Sequence, residues 1–147
     1  NYPETDYALD DVRNLADIVH SFKDIGASIS SGSFRTEGMI IAPCSIKTLA
    51  GVANCFSDNL ITRAADVCLK EGRKVGLMVR ETPLHQGHLE LMVKAAQFGC
   101  LIMPPVPAFY HRPASINDII NQTVGRALDQ FGIETGTVHR WKETGTK

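Results

Sequence analysis

Gly38-Met-Ile-Ile-Ala-Pro-Cys44, followed at once by Ser45-Ile-Lys-Thr-Leu-Ala-Gly-Val-Ala-Asn54, decides the fold class. The first run is continuously apolar and too short for a core helix. It therefore reads as a strand buried on both faces, and strands of that kind belong to parallel sheets. The second run begins with Ser45, a good helix N-cap, and carries Ile46, Leu49, Ala50 and Ala53 on one helical stripe. Strand, tight turn and helix in succession make the α/β unit.

Downstream the same alternation continues. A helix is expected from about Asn59 to Glu71, capped by Ser57 or Asp58 and stopped near Gly72, with Leu60, Ala64, Val67 and Cys68 inward. Lys74 to Val79 reads as the next strand, Arg80-Glu-Thr-Pro-Leu84 as a polar turn, and His85 to Phe98 as a helix ended by Gly99. Cys100 to Met103 is a further buried strand. Pro104 to Pro113 holds four prolines in ten residues, which forbids regular structure and stiffens a loop. Ser115 then caps a last helix in which Ile116, Ile119, Ile120, Val124, Ala127, Leu128 and Phe131 follow a 3.6-residue period, predicting that this stripe packs on the sheet.

Upstream, Val12, Leu15, Ala16 and Val19 predict an amphipathic helix from Ala8 to Val19, with Asp10 and Asp11 near its start. Gly26 to Phe34, rich in small residues, reads either as a surface loop or as backbone that approaches a ligand. Residues 1–134 are expected to form one domain, and 135–147 a polar tail around Trp141.

Composition narrows the function classes. The 147 residues carry 15 Lys+Arg against 16 Asp+Glu, a formal charge of −1, which argues against a nucleic-acid coat. With 44% hydrophobic and 21% charged residues the chain can bury a core. Its longest apolar runs fall far short of the ~20 residues that cross a bilayer, so no membrane span is expected. Cys44, Cys55, Cys68 and Cys100 show no CxxC spacing, which points to a reduced, cytoplasmic protein. The chain opens on Asn1 without a charged-then-apolar leader, and its first segment reads as the middle of a longer pattern.

In open parallel sheets ligands sit beyond the carboxyl ends of the strands, so the residues after each strand are the candidates. After the first strand come Ser45, Ile46, Lys47 and Thr48, hydroxyls and a cation at a helix N-terminus that suit a phosphate or ring carbonyl, or simply cap the helix. After the second come Arg80 and Glu81, an active-site pair or a solvated one. After the third come Tyr110, His111 and Arg112, where packing competes with chemistry. Arg63 and Lys70 share a helical face with Asp66, either a salt-bridged surface or cations that reach an anion in the same or a neighbouring subunit. Arg126 flanks the last helix where its head can reach a pocket rim. His85 and His88 lack a further metal ligand, and no GxGxxG, Walker or GxSxG motif is present, so no metal is expected.

Ser28-Ile-Ser-Ser-Gly-Ser33, Ala42-Pro-Cys-Ser-Ile-Lys-Thr-Leu49, Arg63-Ala-Ala-Asp66, Leu69-Lys-Glu71, Arg80-Glu-Thr-Pro-Leu84 and Pro104-Pro-Val-Pro-Ala-Phe-Tyr110 together resemble the UbiX-type flavin prenyltransferases. The match runs from about Glu4 to Ile133. The resemblance implies a flavodoxin-like three-layer α/β/α sandwich, commonly assembled as a dodecamer with flavin sites between subunits. It implies transfer of a dimethylallyl group from dimethylallyl phosphate to reduced FMN, without metal, giving prenylated FMN for UbiD-type decarboxylases. By position, Ser45, Ile46, Lys47, Thr48 and Arg80 become flavin contacts, and Lys70, Arg80, Tyr110 and Arg126 a clamp on dimethylallyl phosphate. Glu81 becomes the acid/base, with Lys70 and Tyr110 as further catalytic groups. A strand, a phosphate loop, a helix and a second strand that open the family pattern have no counterpart in this sequence. Two alternatives stand beside this reading: an FMN-dependent cysteine-type decarboxylase of the wider superfamily and, resting on that absent segment, a truncated non-catalytic flavoprotein subunit.

Overall fold

The computed structural model describes residues 5–140, so Trp141 lies outside the described residues. The elements run in the order α1 (Leu9–Arg13), a 3-10 turn (Ser28–Ser30), β1 (Gly38–Cys44), α2 (Ile46–Ala53), α3 (Leu60–Lys70), β2 (Lys74–Val79), α4 (Gln86–Gln97), β3 (Cys100–Ile102) and α5 (Ile116–Asp129). The three strands form one parallel sheet in the order β1-β2-β3. Gly38 pairs with Lys74 and Val75 with Cys100, and the β1 register slips between Ile41 and Cys44, around Pro43. Among the described residues β1 has β2 as its sole partner, and the slip sits at the proline, which has no N–H to give to a ladder.

One face of the sheet carries the core. Ile41, Cys44, Val75, Leu77, Val79 and Cys100 pack against Leu49, Val52, Ala53, Ala65, Cys68 and Ala95 from α2, α3 and α4. Leu77 lies in the central strand with no exposed surface, and burying such a side chain contributes about 2–3 kcal/mol. Val75, Leu77 and Val79 alternate with Gly76 and Met78, which strand geometry turns to the opposite face. There the Phe131 ring and the Met103 methyl close over Gly76, where an added Cβ would overlap Met103. Lys74 donates to the Gln130 carbonyl at the end of α5, and its ammonium lies 5.8 Å from the Phe131 ring centre. A cation there complements the negative end of the helix dipole.

The helices start and stop for local reasons. Ser45 Oγ accepts from the Thr48 amide at 3.2 Å, and Ser115 with Asp118 forms a capping box on α5. The cap of α3 is Asn59, which accepts from the Thr62 amide, in place of Ser57 or Asp58. Asn59 is itself buried, so its side chain serves packing and cap together. Gly72 and Gly99, at φ 68° and 99°, turn the chain out of α3 and α4 in the left-handed region open to glycine.

Three expectations change. The helix expected from Ala8 to Val19 is only Leu9–Arg13, with no buried residue; Leu15 is 87% exposed. A short amphipathic helix gains its stability from the surface it covers, and this segment covers none. The third strand ends at Ile102, one residue early, where Met103 turns to cover Gly76. In α5 only the C-terminal part of the apolar stripe packs on the sheet: Ala127 is buried and Phe131 closes over Gly76, whereas Ile116 is 77% exposed, Ile120 and Val124 lie open, and Gln122 and Gly125 are buried off the stripe. What buries Gln122 and Gly125 is the segment 135–140, which lies along α5 rather than trailing away. A Cβ at Gly125 would overlap Val138 Cγ2 and stand 3.0 Å from Thr135 Oγ1.

Candidate functional site

Parallel strands deliver their loops to one end of the sheet, and most of the candidate residues meet there. The Arg80 amide donates to the Cys44 carbonyl at 3.2 Å, which ties the loop after β2 to the end of β1. Arg80 and Glu81 then line a hollow of about 220 Å³ walled by Pro104, Pro105 and Val106. A second cleft, of about 370 Å³, lies between β3 and α5 and takes in Tyr110 and Arg126. Pro104 and Val106 line both, so the two hollows adjoin. The proline-rich loop is the wall between them, and its stiffness holds their shape.

Tyr110 is presented by a turn in which the Arg112 amide donates to the Phe109 carbonyl and Arg112 takes φ 52°, an uncommon conformation for a side-chain-bearing residue. Its hydroxyl donates to the His139 carbonyl at 3.0 Å and accepts from Gln122 Nε2 at 2.9 Å. Arg126 donates to Asp129 Oδ2 at 2.8 Å, and Arg140 grips both oxygens of the same carboxylate at 3.0 Å. These bonds, Arg140 foremost and Arg126 next, hold the Asp129 carboxyl below its usual range. The guanidinium of Arg126 is thus drawn along α5 toward Asp129, while its side chain lines the cleft.

Ser45, Lys47 and Thr48 line a third hollow, of about 680 Å³, with Phe22 and Phe56 among its apolar walls. Ser45 Oγ donates to Thr48 Oγ1 at 3.1 Å, so both hydroxyls serve the cap as well as the hollow. The amides of Ile46 and Lys47 belong to the first turn of an eight-residue helix, where no intrahelical acceptor exists. Apolar walls, a lysine and helix-terminal amides in a space of that size fit a flavin ring and its carbonyls.

Lys70 does not join this group within one chain. It closes α3, just before β2 begins, and pairs with Glu71 at 3.4 Å close to Gly32. The six residues of β2 separate that end of the sheet from Arg80, on the order of 17 Å. Arg63 pairs with Asp66 at 3.6 Å, the salt-bridged surface reading. The small-residue loop is held by Arg73, which donates to the Gly32 and Phe34 carbonyls.

His85 caps α4 through Nδ1, which accepts from the Gly87 amide, and its ring lies 3.6 Å from that of His88. No group of three or more potential metal ligands gathers among the described residues. Cys44 and Cys100 are core residues whose thiols are pushed up to about 11 by burial, which disfavours the thiolate form a nucleophile needs. Sequence reasoning passed over Gln122 and Asp129, although Gln122, Arg126 and Asp129 recur at i, i+4 and i+7, one face of a helix.

Residues 9–127 match the Flavoprotein family. The chain is 60% identical over 138 residues to the flavin prenyltransferase UbiX of Thauera aromatica, covering 94% of this chain and 71% of that protein. It is 65% identical over 130 residues to the UbiX of Escherichia coli strain K12, covering 88% and 69% respectively. Its fold superposes with a TM-score of 0.94, at 52% identity, on a crystal structure of AnUbiX in complex with FMN and dimethylallyl pyrophosphate; the overlap takes in 97% of this chain and 76% of that one. A dodecameric FMN-dependent UbiX-like decarboxylase from Escherichia coli O157:H7 gives a TM-score of 0.92 at 52% identity, covering 95% and 75%. A flavodoxin-like parallel sheet whose proline-walled hollows unite Arg80, Glu81, Tyr110 and Arg126, at this degree of identity, makes the chain a member of the UbiX flavin prenyltransferase family.

Proposed function

We propose that the chain transfers the dimethylallyl group of dimethylallyl phosphate to reduced FMN, and that its product serves UbiD-type decarboxylases in the cytoplasm. The observation that carries this reading is the pairing of Tyr110 and Arg126 on one cleft that adjoins the Arg80–Glu81 hollow. A cleft of that size suits a five-carbon group and its phosphate, with Met78, Leu101 and Val106 as apolar lining.

The flavin supplies the nucleophilic ring atoms to which the dimethylallyl unit becomes attached. Ser45, Ile46, Lys47 and Thr48 hold it, with Arg80 at the join between the hollows. Arg80, Arg126 and Tyr110 grip the phosphate, whose charge grows as the allylic carbon–oxygen bond breaks; fixed donors aimed at that charge lower the barrier. Glu81 takes up the proton released when the new ring closes, with the departing phosphate as the other acceptor. Its carboxylate accepts from the Thr82 amide at 3.0 Å, which orients it within the loop. An allylic cation is quenched by water, so the proline-walled hollow must be covered when the bond breaks. Lys70, at the other end of the sheet, completes the clamp from a second copy, in keeping with a homo-oligomer that reaches a dodecamer.

The test uses the purified chain with FMN, reduced anaerobically and supplied with dimethylallyl phosphate. Mass spectrometry is expected to find flavin heavier by one prenyl unit, and Glu81→Gln to retain flavin while slowing product formation at least tenfold. Retained flavin without product in the unmodified chain overturns the transferase reading, and unchanged turnover in Glu81→Gln removes Glu81 from the chemistry.

A further inference from the structure

We infer that Gln122 is a positioning residue for the phosphate clamp: it fixes the Tyr110 hydroxyl as a donor aimed at the substrate phosphate. The inference rests on the proposed role of Tyr110 as a phosphate ligand.

Gln122 is 3% exposed, one of the few buried polar side chains among the described residues, and every polar atom it carries is used. Its Oε1 accepts from the His139 amide at 2.8 Å. Its Nε2 donates to the Tyr110 hydroxyl at 2.9 Å and to the His139 carbonyl at 3.2 Å. A backbone N–H can only donate, so the His139 amide settles which end of the side chain is oxygen, and the end facing Tyr110 must be the NH₂ group.

The consequence for Tyr110 is directional. A phenol that accepts from Nε2 cannot point its own proton back at Gln122, so that proton is sent outward. In this structure it goes to the His139 carbonyl at 3.0 Å. A donated hydrogen bond also polarises the hydroxyl and strengthens the one it gives. The His139 carbonyl thereby stands where a phosphate oxygen would accept, and an incoming phosphate, being charged, is the stronger acceptor. Arg126, one turn along α5, faces the same cleft. One helix face therefore sets the direction of the tyrosine donor and the site of the cation.

The experiment measures the calorimetric Kd of dimethylallyl phosphate for the full chain with oxidised FMN, so that substrate binds without transfer. Four variants are compared with the parent: Gln122→Met, Tyr110→Phe, the double variant, and Gly125→Ala. The last loosens the 135–138 segment while leaving Gln122 in place. Gln122→Met and Tyr110→Phe are each expected to raise Kd about tenfold, the double variant no more than Tyr110→Phe alone, and Gly125→Ala less than twofold. FMN affinity stays within twofold throughout, and the ¹³Cζ resonance of Tyr110 moves in Gln122→Met. Should Tyr110→Phe leave Kd unchanged, the clamp reading falls and this inference with it. If Tyr110→Phe weakens binding but Gln122→Met does not, the clamp stands and the inference is overturned. Additive effects in the double variant, or an equal loss in Gly125→Ala, overturn it too, because the loss then comes from the segment and not from the tyrosine.

Discussion

Replacing Gly125 by alanine sets two effects of known size against each other. In the middle of α5, alanine in place of glycine favours the helix by about 1 kcal/mol. The new methyl, however, overlaps Val138 Cγ2 and presses on Thr135 Oγ1 at 3.0 Å. Overpacking of that kind costs about 1–3 kcal/mol, and here the cost need not fall on the helix. The 135–138 stretch has few attachments of its own, chiefly the long Thr137 hydroxyl bond to the Asn121 carbonyl at 3.5 Å. Three hydrogen bonds hold His139, from Gln122 and Tyr110, and at about 1 kcal/mol apiece they resist full release. The expected result is a folded protein whose global stability changes by less than about 1 kcal/mol, while the segment opens more easily by about 2 kcal/mol. In hydrogen exchange the His139 amide is then expected to exchange about 30-fold faster, with the urea midpoint nearly unmoved. An unchanged exchange rate together with a midpoint raised by the full helix gain would refute the close seating of 135–138 on α5.

The cysteines sort by burial: iodoacetamide at pH 8 is expected to label exposed Cys55 and leave Cys44, Cys68 and Cys100 untouched in the folded chain, as peptide mass spectrometry would read out. Labelling of Cys44 at the rate of Cys55 would contradict a thiol held near 11 by burial. Asp118, held down by the amides of Ala114 and Ser115, and Asp129, held down by Arg140 and Arg126, bind fewer protons folded than unfolded. The stability they contribute is present above the ordinary aspartate value near 4 and is lost as pH falls through their depressed values. Denaturation titrations from pH 6 to pH 2 should therefore steepen in the acid range, and Asp118→Asn or Asp129→Asn should flatten that slope; slopes equal to the parent's would show that the pairs carry no linkage.

The parts of the fold that can be read from the chain are those in which local pattern and burial agree. β1 and β2 fall on the expected residues, because a short apolar run bounded by turn signals has few alternatives. α2, α3 and α4 start at residues whose side chains reach the first-turn amides. Periodicity marks α5 but is silent on its second packed face, since Gly125 is small and Gln122 is polar and neither contributes to an apolar stripe. The smallness of Gly125 is what admits Val138. In the site, Arg80, Glu81 and Tyr110 are found by looking to the loop at the carboxyl end of each strand. Lys70 escapes that rule because it closes a helix and so belongs to the opposite end of the sheet. Gln122 escapes because a single buried glutamine has no motif; only its three hydrogen bonds distinguish it.

The side of β1 left unpaired among the described residues has a bearing on how this stretch of chain is handled. Gly38 to Ile41 offers a row of backbone donors and acceptors on a flat apolar stretch, bonded on one side only among the described residues. Such a row is a template for any extended chain that meets it, and its affinity is for backbone rather than for a particular sequence. Pro43 and the slipped register protect only the carboxyl end. Refolding of this stretch by itself at high concentration therefore invites sheet-to-sheet aggregation through Met39 and its neighbours, and a charged substitution at Met39 would act as a gatekeeper whose benefit shows in yield rather than in activity.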